Sequence, residues 1–156
     1  MMEIRAFTIS DVETLTVSDG FKAALKSYVA NTRPEFMRMG EIDGVPVFAC
    51  GVNSPWAGFG EMWIQILNVK CDMSNVKGEN KHAVSIVRAA KRLLDGFVKE
   101  HKFHRLQAVV RADDKKTLRF DWWLGFDVEC VMEEYYADKC DAVVLRYKTL
   151  TTECTE

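Results

Sequence analysis

Glu61-Met-Trp-Ile-Gln-Ile-Leu67 is apolar and short enough to be a buried strand, and it opens the stretch that decides the fold. After a polar, Gly-containing loop, Asn80 to His101 places apolar residues at 83, 86, 87, 90, 93, 94, 97 and 98. That spacing makes one wide helical stripe, with Lys81, Ser85, Arg88, Arg92, Asp95 and Lys99 on the opposite face. Leu106, Ala108, Val110 and Ala112 then alternate with Arg105, Gln107 and Arg111, the period of a strand. Strand, long helix and strand predict a right-handed crossover between parallel neighbours. Asp113-Asp114 caps a short helix from about Lys115 to Leu124, which Gly125 ends.

Working outward, Glu3 to Ile9 reads as a first strand, and Ser10-Asp11 or Ser18-Asp19 can cap the next helix. The first helix is expected over Gly20 to Ala30, closed by Asn31-Thr-Arg-Pro34. Asp43-Gly44 is a turn between Phe36–Glu41 and Val45–Val52, which predicts a hairpin. Asn53 to Gly60, rich in Gly, Pro, Asn and Ser, is a loop. A last hairpin joins Phe126–Tyr135 to Ala142–Lys148, and 149–156 is a polar tail. The order is β-α-β-β-β-α-β-α-β-β: one α/β domain over 1–148, a mixed sheet covered by helices.

Composition narrows the function classes. With 156 residues, 48% hydrophobic and 28% charged, the chain has the make-up of one soluble globular domain. A formal net charge of -2 argues against a general electrostatic grip on nucleic acid. No window approaches the roughly 18 apolar residues of a membrane span, and the N-terminus lacks a signal-peptide core. The five cysteines are scattered without a CxxC pair, so neither zinc nor any other metal is implied, and a cytoplasmic location is expected.

Asp114-Lys-Lys-Thr117-Leu-Arg-Phe120-Asp121-Trp-Trp-Leu124-Gly125-Phe126 resembles the block after the fifth strand of the GNAT fold, the acetyl-CoA-dependent N-acyltransferases. Asp127-Val-Glu-Cys-Val-Met-Glu-Glu-Tyr135-Tyr136 continues the similarity, with compact phage-encoded members nearest in character. The resemblance implies transfer of an acetyl group from acetyl-CoA to a primary amine of a small molecule or protein, with CoA as product. It puts the donor in a V-shaped opening between strands 61–67 and 103–112, along Ile66, Leu67, Asn68 and Val69. The pyrophosphate would meet the start of the long helix at Gly78, Asn80, Lys81 and His82, where free N–H groups and the helix dipole favour anions. The family's phosphate loop reads Gln or Arg, two residues, Gly, one residue, Gly or Ala; Asn75-Val-Lys-Gly78-Glu-Asn80 is the local counterpart.

Glu61 is the general base that the resemblance implies, its bland reading being a solvated strand end. The family's acid, a tyrosine, falls by spacing on Asp121, a poor donor unless burial raises its pKa. Tyr135 and Tyr136 are the candidate substitutes. The alternative function is a catalytically inactive protein of this fold, phage-encoded, serving as a virion or interaction component, alone or as a homo-oligomer. The departures at 75–80 and at Asp121 favour it. Trp56 and Phe59 are candidates for an acceptor site, His101 and His104 read as surface residues, and Lys81, Arg88, Lys91, Arg92 and Lys99 as a solvated helix face.

Overall fold

The computed structural model describes residues 2–67 and 81–148. Their strands are β1 (Met2–Ala6), β2 (Met37–Ile42), β3 (Val45–Asn53), β4 (Phe59–Ile66), β5 (Arg105–Arg111), β6 (Phe126–Met132) and β7 (Ala142–Tyr147). The α-helices are α1 (Ile9–Thr14), α2 (Asp19–Ala30), α3 (Lys81–Glu100) and α4 (Lys115–Leu124). The strands form one mixed sheet in the order β1-β2-β3-β4-β5-β7-β6. Every neighbouring pair is antiparallel except β4 and β5, the parallel pair expected on either side of the long helix.

Strand alternation sends side chains to two cores. Met62, Leu106, Ala108 and Val110 meet the apolar stripe of α3 (Ile86, Ala90, Leu94, Phe97) and the inner face of α4 (Phe120, Leu124). On the other face Trp63 joins Phe7, Val12, Leu25 and Val29, a smaller core under α1 and α2. Thr32, buried at the end of α2, accepts a 2.9 Å bond from Trp63 Nε1 and donates to Tyr28 O, which fixes the indole. Among the described helices none is long and apolar enough to cross a membrane.

Two boundaries differ from the sequence expectation. Ile9 begins α1 instead of ending β1, because Asp11 Oδ2 accepts from both the N–H and the hydroxyl of Thr8. That capping interaction outweighs an apolar alternation that was already out of step at Phe7. The chain therefore has two short helices, not one, between β1 and β2. Likewise β6 stops at Met132: Glu134 turns into positive φ and gives its N–H to the Asp141 carboxylate, so Tyr135 and Tyr136 leave the strand. The expected tail and the 75–80 loop lie outside the described residues.

Candidate active site

The parallel pair is short. Phe59, Gly60 and Glu61 face Arg105, Leu106 and Gln107, and beyond Glu61 the two strands have no register. β4 continues with β3 to Ile66, while β5 continues with β7 to Arg111, so each strand follows its own half of the sheet. The closed end is held tightly. Gly58 O accepts from the N–H groups of His104 and Arg105. Gly60 lies where an added Cβ would come within 2.5 Å of Val52 and 3.0 Å of Leu106. The open end is a cleft of about 1050 Å3.

Its edges carry main-chain groups. Leu67 N–H donates to Val47 O, so odd-numbered residues of β4 bond to β3, and the N–H and C=O groups of Met62, Ile64 and Ile66 point into the gap. On β5, Ala112 N–H donates to Asp141 O, which turns Val109 and Arg111 towards the gap by the same alternation. Buried main-chain groups are nearly always bonded, so a strand edge opening on a cleft is a place for water or for a ligand with amides of its own.

Two walls differ in chemistry. On the α2 side stand Glu61, Trp63, Tyr28, Arg111, Tyr135 and Tyr136. Gln107 Nε2 donates to Glu61 Oε2 at 3.2 Å and holds the carboxylate at the closed end. Tyr28 stacks on Trp63 with centroids 5.3 Å apart, and Tyr135 meets Tyr136 edge-on at 5.1 Å. Arg111 lies over the Tyr136 ring at 4.8 Å and pairs with Asp113 and Asp138, which together hold its guanidinium charged. Burial, and then the neighbouring Tyr135, push the Tyr136 phenol above its ordinary value.

The other wall is α4, packed with α3 in the larger core. Asp114 caps it, accepting from Thr117 N–H at 3.0 Å. One helical face then presents Thr117, Phe120 and Asp121 to the cleft. Asp121 is 1% exposed, and its Oδ1 finds no hydrogen-bond partner among the described residues. Burial, reinforced by the charge of Asp114, pushes its carboxyl up to about 7. Sequence reasoning placed Asp121 at the family's acid position, as a poor donor unless burial raises its pKa. The available signal was its place beside Phe120 and one turn before Leu124, on the apolar face of α4.

Of the residues singled out from sequence, Glu61, Tyr135, Tyr136 and Ile66 all line this cleft. Leu67 is buried with its N–H committed to Val47. Lys81 and His82 begin α3, and only their backbone is described; Asn68, Val69, Gly78 and Asn80 lie outside the described residues. Trp56 and Phe59 do not line the cleft but stack on each other at 4.7 Å at its closed end. His101 is not a simple surface residue: it packs against Phe36, Phe97 and Phe103.

No protein-family model matches this sequence, and no curated protein matches it. Solved structures do. The ribosomal-protein-S18-alanine N-acetyltransferase of Escherichia coli superposes with a TM-score of 0.70 at 14% identity, over 100% of this chain and 99% of that one. A GNAT-family acetyltransferase of Bacillus anthracis gives 0.67 at 17% identity, over 93% of each chain. A spermidine N-acetyltransferase chimera with a Vibrio cholerae parent gives 0.64 at 13%, over 94% of each. The fold expected from the sequence is the fold found, that of the GNAT acetyltransferases.

Proposed function

We infer that this chain transfers an acetyl group from acetyl-CoA to a primary amine of a small molecule or protein. The parting of β4 from β5 after Glu61 carries the reading. Among the described residues it leaves the outward main-chain groups of Met62, Ile64 and Ile66 without a strand partner, able to pair with an extended, amide-bearing arm as a further strand would. Such an arm is the middle of acetyl-CoA. In this reading the donor runs from Ile66 through Leu67, Asn68 and Val69 towards Gly78, Asn80, Lys81 and His82, where the start of α3 receives the pyrophosphate.

Glu61 takes the proton that the amine must lose, directly or through water, from a carboxylate already oriented by Gln107. Tyr135 and Tyr136 offer phenols on the same wall, to hold the amine or to return a proton. The cleft itself contributes by holding both reactants in line and by aiming strand N–H groups at developing negative charge. The acceptor stays at the level of a primary amine, since enzymes named for a ribosomal-protein alanine and for spermidine share the fold.

Calorimetry with acetyl-CoA on the native chain and on Gly78→Glu tests this. Micromolar binding that the variant loses is the expected result. No binding at millimolar ligand overturns the reading and leaves a chain that keeps the fold as an interaction component, the phage-type alternative.

A further inference from the structure

Two aromatic pairs stand on opposite sides of the gap between β4 and β5. Tyr28 lies on Trp63 of β4, and Tyr135 meets Tyr136, whose ring lies beneath Arg111 of β5. Glu61 stands between the pairs, where the two strands make their last contact. Tyr28 is 41% exposed and Tyr135 54%, so a large part of each ring is bare in a concavity that also holds a carboxylate. Exposed aromatic surface gathered in a cleft around a few polar groups is the make-up of a small-molecule site.

Charge limits what can enter. Among the described residues that line this side, Glu61 is the one carboxylate and Arg111 the one cation. Arg111 gives four hydrogen bonds to Asp113 and Asp138, so it offers no net positive charge to a carboxylate on the acceptor. Asp114, Lys116 and Asp121 belong to the α4 wall. A second ammonium drawn out of water here would need a second carboxylate, because an unpaired charge is costly to bury. What fits is one ammonium on a body that rings can cover.

We propose that the acceptor is an arylalkylamine, an aromatic ring bearing one primary amine on a short chain. Its nitrogen sits at Glu61 and its ring against Tyr28 and Tyr135. This rests on the acetyltransferase reading. Rings in contact favour offset or edge-on packing, and tyrosines supply it with little loss of side-chain freedom. The bound ammonium gives one proton to the Glu61 carboxylate, which passes it to water. The amine nitrogen then bonds to the thioester carbonyl carbon, and the carbon–sulfur bond breaks with its electron pair on sulfur. The second proton that nitrogen sheds reaches that sulfur through water. The products are the amide, the thiol and one proton in solution.

The test compares acceptors on the native chain with acetyl-CoA. 2-Phenylethylamine and tyramine are set against butylamine, which has the same charge and no ring, with spermidine and an alanine-initiated peptide alongside. kcat/KM for the two arylalkylamines should exceed that for butylamine at least about tenfold. Tyr28→Leu and Tyr135→Leu should each cut that preference at least about threefold, a ratio that does not depend on the amount of folded enzyme. A smaller preference, or one that either variant leaves intact, overturns the proposal. So does a higher kcat/KM with spermidine or the peptide, and in each of these cases the transferase stands. Acetyl-CoA binding without turnover of either arylalkylamine overturns the acceptor class alone. A native chain that binds no acetyl-CoA overturns the transferase and the acceptor class with it.

Discussion

Asp114 and Asp121 lie about two turns apart on one face of α4 and have opposite fates. Asp114 is exposed at the helix N-terminus, its side chain accepting from the N–H and hydroxyl of Thr117. Asp121 is sealed among Phe120, Leu124 and the cleft wall, where the charge of Asp114 two turns away adds to its reluctance to ionise.

This pair gives a pH dependence of known sign. Asp121 titrates near 7 when folded and near 3.8 as an ordinary carboxyl, so between those values the native state holds a proton that the unfolded chain has released. Stability contributed by this group is therefore present below about pH 4 and is lost as pH rises towards 7. A shift of that size is worth on the order of 4 kcal/mol at most. Denaturant melts of native and Asp121→Asn should show their stability difference moving in the variant's favour from pH 4 to pH 8. A pH-independent difference would mean that Asp121 is an ordinary carboxylate.

Glu61→Gln preserves shape and can still bond to Gln107 while losing the base. Acetyl transfer should fall roughly 100-fold or more in kcat, with acetyl-CoA affinity and thermal stability unchanged. A loss confined to KM for the amine would make Glu61 a binding group instead.

The glycines at the closed end and in α3 should respond in opposite directions. Gly60→Ala puts a methyl group against buried Val52 and Leu106, at the middle of the three residue pairs that join β4 to β5. Overpacking of this kind costs roughly 1–3 kcal/mol. Gly96→Ala, inside α3 near its C-terminal end with open space around the new methyl, should stabilise by about 1 kcal/mol. Thermal melts of the two variants decide both signs.

How far the sequence could be read depends on the range of the forces involved. The crossover from Glu61 to Arg111 was legible because burial imposes periods of two and 3.6 that survive in a single sequence. α1 was missed because a local hydrogen-bonding device, Thr8 with Asp11, overrode the alternation of Ile4, Ala6 and Ile9. The cleft follows from where strand pairing ends, a long-range property that nothing in Glu61-Met-Trp-Ile-Gln-Ile-Leu67 announces. The burial of Asp121 was legible from the face of α4 it occupies. Its raised pKa was not, since that depends on burial against the cleft wall and on the charge of Asp114.

The α2 wall of the cleft depends on a polar contact that can be removed almost isosterically. Trp63 Nε1 donates to Thr32 Oγ1 in a buried setting, and Tyr28, whose ring covers Trp63, supplies the carbonyl to which Thr32 donates. Thr32→Val therefore strands the indole N–H, at a cost of about 1–3 kcal/mol. The indole would be free to tilt and the Tyr28 ring with it, so the loss should extend beyond stability. On the proposed reading, which puts acetyl-CoA on the edge of β4 and at the start of α3, KM for the amine should rise while acetyl-CoA affinity stays constant. Thr32→Ser, which keeps the hydroxyl, should restore both. A Thr32→Val variant that melts at the native temperature would mean that the indole finds water in place of the threonine.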